Sequence, residues 1–318
     1  MAGPIKFGVF APQGWKMDLE EIDDPVAQFE AMTAVARAAD ASNFDSVWLY
    51  DHLHTVPTPE LETTFEAWTV SATFARDTKR VNIGQMTSCN GFRNPALYAK
   101  IASTVDVASH GRLFAGLGAG WYKHEWEAYG YEYPPTPIRM AKFKEAVQII
   151  HKMWNEDYPT FTGAHYRIDK PINEPKGARG KGPSLWIAGG GEQVTLKLVA
   201  QYGDACNIGR DVETVTRKLE ALRRHCNTLG RDYDRIIKSA EVDVLFTKPG
   251  SSAADKAAAA STSRFPTWTI AGSPDEIRAH IQGLADAGID YFIIYLPRVA
   301  YDHAVLHQFS ETIIPAFS

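Results

Sequence analysis

The chain has 318 residues, 45% hydrophobic and 22% charged, the proportions of a globular protein large enough to bury a sizeable core. A formal net charge of −5 and a pI near 6.1 argue against a nucleic-acid or anionic-membrane partner. Cys89, Cys206 and Cys226 are too scattered for a disulfide framework, no apolar run nears the roughly 20 residues of a membrane span, and the first residues lack a signal-peptide pattern, so a cytoplasmic protein with small-molecule partners is expected.

Short β-rich runs alternate with longer helical patterns. In chain order the strand candidates are 5–11, 45–50, 81–88, 112–118, 184–189, 204–209, 240–246 and 290–296. Helical patterns fall at 25–43, 96–108, 140–154, 212–229 and 273–288. Several strands are apolar without clean alternation, as parallel strands covered on both faces are. Eight such units predict an α/β fold, a (β/α)8 TIM barrel, with 1–318 as one domain; an open doubly wound sheet is the other architecture. Insertions are expected after strands 4 and 7 and before strand 5. The stretch 161–183 reads as a hairpin plus a basic loop at the bottom face, and 247–268 as a lid or surface helical insertion on the catalytic face.

In a barrel the chemistry sits just past the carboxyl ends of the strands. Those positions hold Trp15 after the first strand, Asp51-His52-Leu53-His54 after the second and Ser88-Cys89-Asn90 through Arg93 after the third. Gly118 through His124 follow the fourth strand, Ala188-Gly189-Gly190-Gly191 the fifth and Asn207 through Arg210 the sixth. Three successive glycines cost backbone entropy, and the usual reason to keep them is close approach of a ligand to the main chain. With a helix following, they suggest a phosphate. The His52-x-His54 pair could bind metal in a barrel hydrolase, but later strand ends supply no further ligands, so no metal is expected. The GLGAG run at 116–120 has its third glycine displaced from the dinucleotide fingerprint, and no helix is expected to begin there in register. The GARGKG run at 177–182 lacks the Ser or Thr of a P-loop. Trp121, Tyr122, Trp126, Tyr129, Tyr131 and Tyr133 read as a wall for a flat conjugated ligand, or as a packed loop at the rim.

The stretches DSVWLYDHLH, TSCNGFRNPALYAKIASTVDVASHGRLFAGLGAGWYKHEWEAYG and LWIAGGGEQVTLKLVAQYGDACN together resemble the luciferase-like monooxygenase superfamily, within it the branch using the deazaflavin coenzyme F420. The resemblance implies that Gly189, Gly190 and Gly191 hold the cofactor's phosphate, and that a non-proline cis peptide backs the deazaflavin ring. Alignment of the R-N-P motif puts that bond at Cys89–Asn90, with Cys89 packing against the ring. Asp51 and His52 match the family's Asp-His pair, with His52 as catalytic acid or base; imidazole titrates in the range the task needs. Trp121 stands where the branch's sugar-phosphate dehydrogenases carry a glutamate, which implies a less polar substrate.

The resemblance thus implies an oxidoreductase passing a hydride between coenzyme F420 and a small organic substrate, as a homodimer. Cofactor contacts would come from Asp51, His52, Ser88, Cys89, Asn90, Gly120, Trp121, Ala188, Gly189, Gly190 and Gly191. Substrate contacts would come from Trp15, Trp121, His124 and Trp126. Arg210, Lys248 and Arg298 are candidates for the cofactor's acidic tail. The alternatives are an FMN-dependent monooxygenase of the same superfamily and a non-catalytic cofactor-binding protein.

Overall fold

In a computed structural model describing residues 4–317, eight parallel strands close into a barrel. They are Lys6–Phe10, Ser46–Leu49, Asn82–Gln85, Leu113–Gly118, Ser184–Ala188, Ala205–Asn207, Ile237–Phe246 and Tyr291–Tyr295. Each pairs with the next, and Lys6 set against Tyr291 joins the eighth strand to the first. The architecture is the expected (β/α)8 barrel. The weak alternation in the strands has a direct cause: both faces are buried, but by different partners. Phe7, Val9, Val47, Leu49, Ile83, Phe292 and Ile294 point outward to the helices. Phe10, Trp48, Trp186, Tyr291, Ile293 and Tyr295 fill the interior.

That interior is unusually aromatic, so neighbouring strands must leave room. Trp48 packs edge-on against Trp186 with ring centroids 4.8 Å apart, and Tyr291 meets Trp186 at 5.1 Å. A Cβ on either Gly8 or Gly84 would collide with the Trp48 ring, so glycine is required beside it. The upper end of the interior is closed by the loop after the first strand. It inserts Lys16 into an aromatic cage, its ammonium 3.6 Å from the Tyr295 ring centroid and 2.9 Å from Asp243 Oδ2. Both charged side chains are fully buried.

Helix starts follow their caps. Asp24 accepts from the N–H of Ala27 before Pro25–Asp40, and Asn94 accepts from Ala96 before Pro95–Ala108. Ser273 and Glu276 form a reciprocal capping box on Pro274–Asp286. Helices Ala67–Asp77 and Ala304–Thr312 complete units that the hydrophobic pattern had left without one.

All three insertions are present, with one shift of position. The hairpin Thr160–Thr162/Arg167–Asp169 does not stay at the bottom face. Glu145, midway along the helix Thr136–Asn155, accepts from the N–H groups of Ala164, His165 and Tyr166, and this draws the hairpin up the outside of the barrel. Tyr166 thereby comes within 3.4 Å of Asn90, past the third strand. The basic loop that follows does lie at the bottom, beside the first residues of strands 4, 5 and 7. The third insertion carries the helix Ala253–Ala260 and returns through Thr269–Gly272, which pairs with the last residues of the seventh strand. Arg264 latches it to the loop after the second strand, donating to the carbonyls of Val56 and Thr58 and to Glu60.

Removing one member of a buried ion pair strands the other charge, typically at a cost of about 3–5 kcal/mol. Lys16→Met should therefore lower the chemical-denaturation midpoint sharply, and Lys16→Met/Asp243→Leu should recover most of the loss.

Candidate active site

The site is built at the carboxyl ends of the strands, around a cleft of about 720 Å³. Asp51, just past the second strand, is 4% exposed and fully committed. Its carboxylate accepts two bonds from Arg93, at 2.6 and 3.0 Å, and a third from the Cys89 N–H at 2.8 Å. Arg93 also reaches Glu66 at 2.6 Å. A carboxylate so engaged anchors the loops after strands 2 and 3 to one another.

The next residue points the other way. His52 lies face to face with Trp15, ring centroids 4.5 Å apart, and meets the edge of Trp121 at 6.0 Å. Its Nδ1 is 3.1 Å from Glu125 Oε2. Glu125, 1% exposed, stands in the short helix Lys123–Ala128. Its second oxygen accepts from the N–H groups of Leu53, at 2.5 Å, and His54, at 3.3 Å. With Nδ1 turned to the carboxylate, Nε2 is the ring nitrogen left over, and it has no partner among the described residues. No helix begins at GLGAG in register; this one starts three residues beyond Gly120, and the carboxylate it supplies was not singled out from the sequence.

Past the third strand, the non-proline cis peptide is Met86–Thr87 and not Cys89–Asn90. Cys89 already belongs to a short extended pair, Ser88–Cys89, alongside Leu117–Gly118, and the bend falls before it. Met86, Thr87 and Cys89 line the cleft. Ser88 is fully buried with its hydroxyl unpartnered, and Asn90 faces a separate cavity of about 340 Å³ beside Tyr166. Burial, reinforced by Asp51, pushes the Cys89 thiol well above its ordinary range.

The aromatic set divides. Trp121, Tyr122 and Trp126 line the cleft, whereas Tyr129, Tyr131 and Tyr133 donate to the carbonyls of Leu53, Phe92 and Trp121 and hold the rim together. His124 faces His54 at 3.3 Å and is not among the lining residues. On the opposite side the cleft is bounded by Ala188 through Thr195. Gly189 has φ +120°, a conformation side chains rarely adopt. Among the described residues, the N–H groups of Gly190 through Val194 find no acceptor in the chain, and the helix Thr195–Tyr202 begins without a side-chain cap. Thr195, 4% exposed, turns its hydroxyl toward Gly191. Lys218 comes beside Gly190 from the helix Val212–Leu229. This is an anion cradle of backbone donors.

The remaining end is formed by Tyr50, Asn207, Arg210, Glu241 and Trp268. Arg210 reaches the cleft. Lys248 is not among the lining residues, and Arg298 lies on the surface in a two-pronged pair with Glu21. Glu241 escaped notice because it sits inside the seventh strand, five residues before its end. No group of three His, Cys, Asp or Glu among the described residues is placed to hold a metal ion.

The profile of the luciferase-like monooxygenase family matches residues 5–266. The chain belongs to that family. Among relatives of this luciferase-like barrel is the F420-dependent glucose-6-phosphate dehydrogenase of Amycolatopsis mediterranei, 29% identical, with 87% of this chain and 91% of that protein covered. The phthiodiolone/phenolphthiodiolone dimycocerosates ketoreductase of Mycobacterium kansasii is 30% identical over 65% of this chain and 61% of its own. Among solved structures, an F420-dependent secondary alcohol dehydrogenase in complex with an F420–acetone adduct superposes with TM-score 0.79 at 21% identity, covering 99% of this chain and 100% of that one. That likeness concerns the fold.

A thiol held protonated by burial is a poor nucleophile. Cys89 should resist iodoacetamide at pH 8 in the folded protein and react on denaturation, as mass spectrometry of the modified peptides would show.

Proposed function

We propose that this protein is an oxidoreductase that moves a hydride between coenzyme F420 and a small organic substrate, with His52 as the proton-transferring group. The observation that carries the reading is the dyad of His52 and Glu125 at the mouth of an aromatic cleft that ends in an anion cradle. The match of residues to cofactor is physical. Uncapped N–H groups along the glycine run, with the Thr195 hydroxyl, suit a phosphate, and a cleft of this size suits a flat ring system. The F420-dependent relatives support the same cofactor. When bound, coenzyme F420 supplies two-electron hydride chemistry.

The chain's own residues do the rest. Met86, Thr87, Cys89 and Gly118 through Trp121 offer one wall to the ring, with Asp51 fixing the strand ends that form it. Ala188 and Gly189 through Thr195 take the phosphate. Trp15 and Trp121 bracket His52. Glu125 holds the imidazole so that Nε2 can give a proton to, or take one from, a substrate oxygen. Ser88 and Asn90 act from behind the wall in this reading, and His124 stands outside it. The same reading takes the protein as one barrel domain, homodimeric and cytoplasmic; no helix among the described residues is long and apolar enough to cross a membrane.

In side-by-side titrations the protein should bind coenzyme F420 more tightly than FMN; a preference for FMN would refute the cofactor assignment. A general acid or base contributes about 10²–10⁴-fold to rate. His52→Asn should therefore slow single-turnover hydride transfer by about a hundredfold or more while cofactor affinity changes little. Glu125→Gln should slow it less, and His52→Asn/Glu125→Gln no more than His52→Asn alone, because the pair acts as a unit.

A further inference from the structure

The end of the cleft formed by strands 1, 2, 6 and 7 contains charges whose sum decides what can enter. Arg210 is the one Lys or Arg among the described residues lining the cleft. Its charge is already answered: its Nη2 lies 3.0 Å from Glu241 Oε2, and its guanidinium stacks over Trp268 at 3.9 Å. Glu241 is 8% exposed, and its other oxygen accepts from the Tyr50 hydroxyl at 2.6 Å. Lys16, just beneath, is spent on Asp243. Arg93, on the far side, is spent on Asp51 and Glu66. Among the described residues, no uncompensated Lys or Arg lines the substrate end.

An anionic group docking there would have to displace Glu241 from Arg210 or lie against a buried carboxylate, and either costs free energy that a neutral molecule avoids. What the cleft offers is different: the faces of Trp121, Tyr122 and Trp268 for a carbon skeleton, and Tyr50, Asn207 and His52 for a hydroxyl or carbonyl.

We infer that the substrate is an uncharged alcohol or carbonyl compound, and that Glu241, by neutralising Arg210, is the residue that excludes phosphorylated substrates. This rests on the oxidoreductase reading above and sets the chain apart from the glucose-6-phosphate dehydrogenases among its relatives.

The experiment titrates glucose 6-phosphate by calorimetry into protein loaded with coenzyme F420, so that the glycine cradle is already taken. Wild type should show no binding at millimolar concentrations. Glu241→Gln keeps an acceptor for Tyr50 but frees the guanidinium, and should bind glucose 6-phosphate at least about tenfold more tightly. Glu241→Gln/Arg210→Gln should lose that gain. Millimolar or tighter binding by wild type, or no gain in a Glu241→Gln variant that is folded and titrates normally with the cofactor, would overturn the inference. If Glu241→Gln does not fold, wild type still decides. Failure to bind glucose 6-phosphate, with affinity for a neutral ketone such as cyclohexanone unmoved by salt, supports the inference; salt-sensitive binding of the phosphate ester overturns it. Loss of coenzyme F420 binding by wild type would count against the oxidoreductase reading, and the anion titrations, repeated on cofactor-free protein with the double variant as baseline, would still report on Glu241.

Discussion

A buried carboxylate must be satisfied, and Glu125 is satisfied only by bringing two loops together. Its oxygens engage the His52 ring and the N–H groups of Leu53 and His54, all on the loop after the second strand, while Glu125 itself belongs to the helix after the fourth. The third strand lies between them in the barrel. The contact therefore spans a whole unit, and it fixes the shape of the loop and the orientation of the imidazole at once. Much of the mouth follows from it: Tyr129 closes on Leu53, Trp15 stacks on His52, and Trp121 stands across the remaining edge.

Beside this contact, the cleft has two ends of contrasting chemistry. One is mainly backbone: glycines, uncapped N–H groups and a threonine hydroxyl, with Lys218 beside Gly190 and the Glu192 carboxylate drawn onto Arg217. The other is side chain, with the single guanidinium matched by a carboxylate and covered by an indole. Backbone donors carry partial charge without the desolvation cost of a full cation, whereas a buried ion pair is neutral toward whatever lies against it. On the proposed reading, the asymmetry separates a place for the cofactor's anion from a place for an uncharged reactant.

Much of the barrel was legible because the strands had to be apolar on both faces; the caps at Asp24, Asn94 and Ser273 were not read in the sequence and come from the structure. Asp51, His52, Trp121 and the glycine run could be found because they sit at strand ends, where parallel strands leave their last residues uncommitted. Glu125 could not be found that way: it is four residues further on, and only the folded helix turns it back to His52. Glu241 is hidden for the opposite reason, lying within a strand whose neighbours read as core. The hairpin at 160–169 was misplaced because its path depends on Glu145, a charged residue on a helix, which sequence alone assigns to solvent. The cis bond was displaced because a short extended pair, Ser88–Cys89, intervenes where the motif alone suggested the bend.

The seventh strand hands its last residues from the sixth strand to Thr269–Gly272, so the insertion leaves and re-enters the barrel at one fixed seam. Its Arg264 grips the loop that follows His52, and its Phe265 and Trp268 stack on each other beside Trp15. The insertion and that loop are thus two halves of a single clasp across the opening. Grafting either half alone from a relative would leave the guanidinium without its carbonyls, or the carbonyls without their donor. In this chain the two segments therefore act as one unit, and an exchange that keeps the clasp has to carry both.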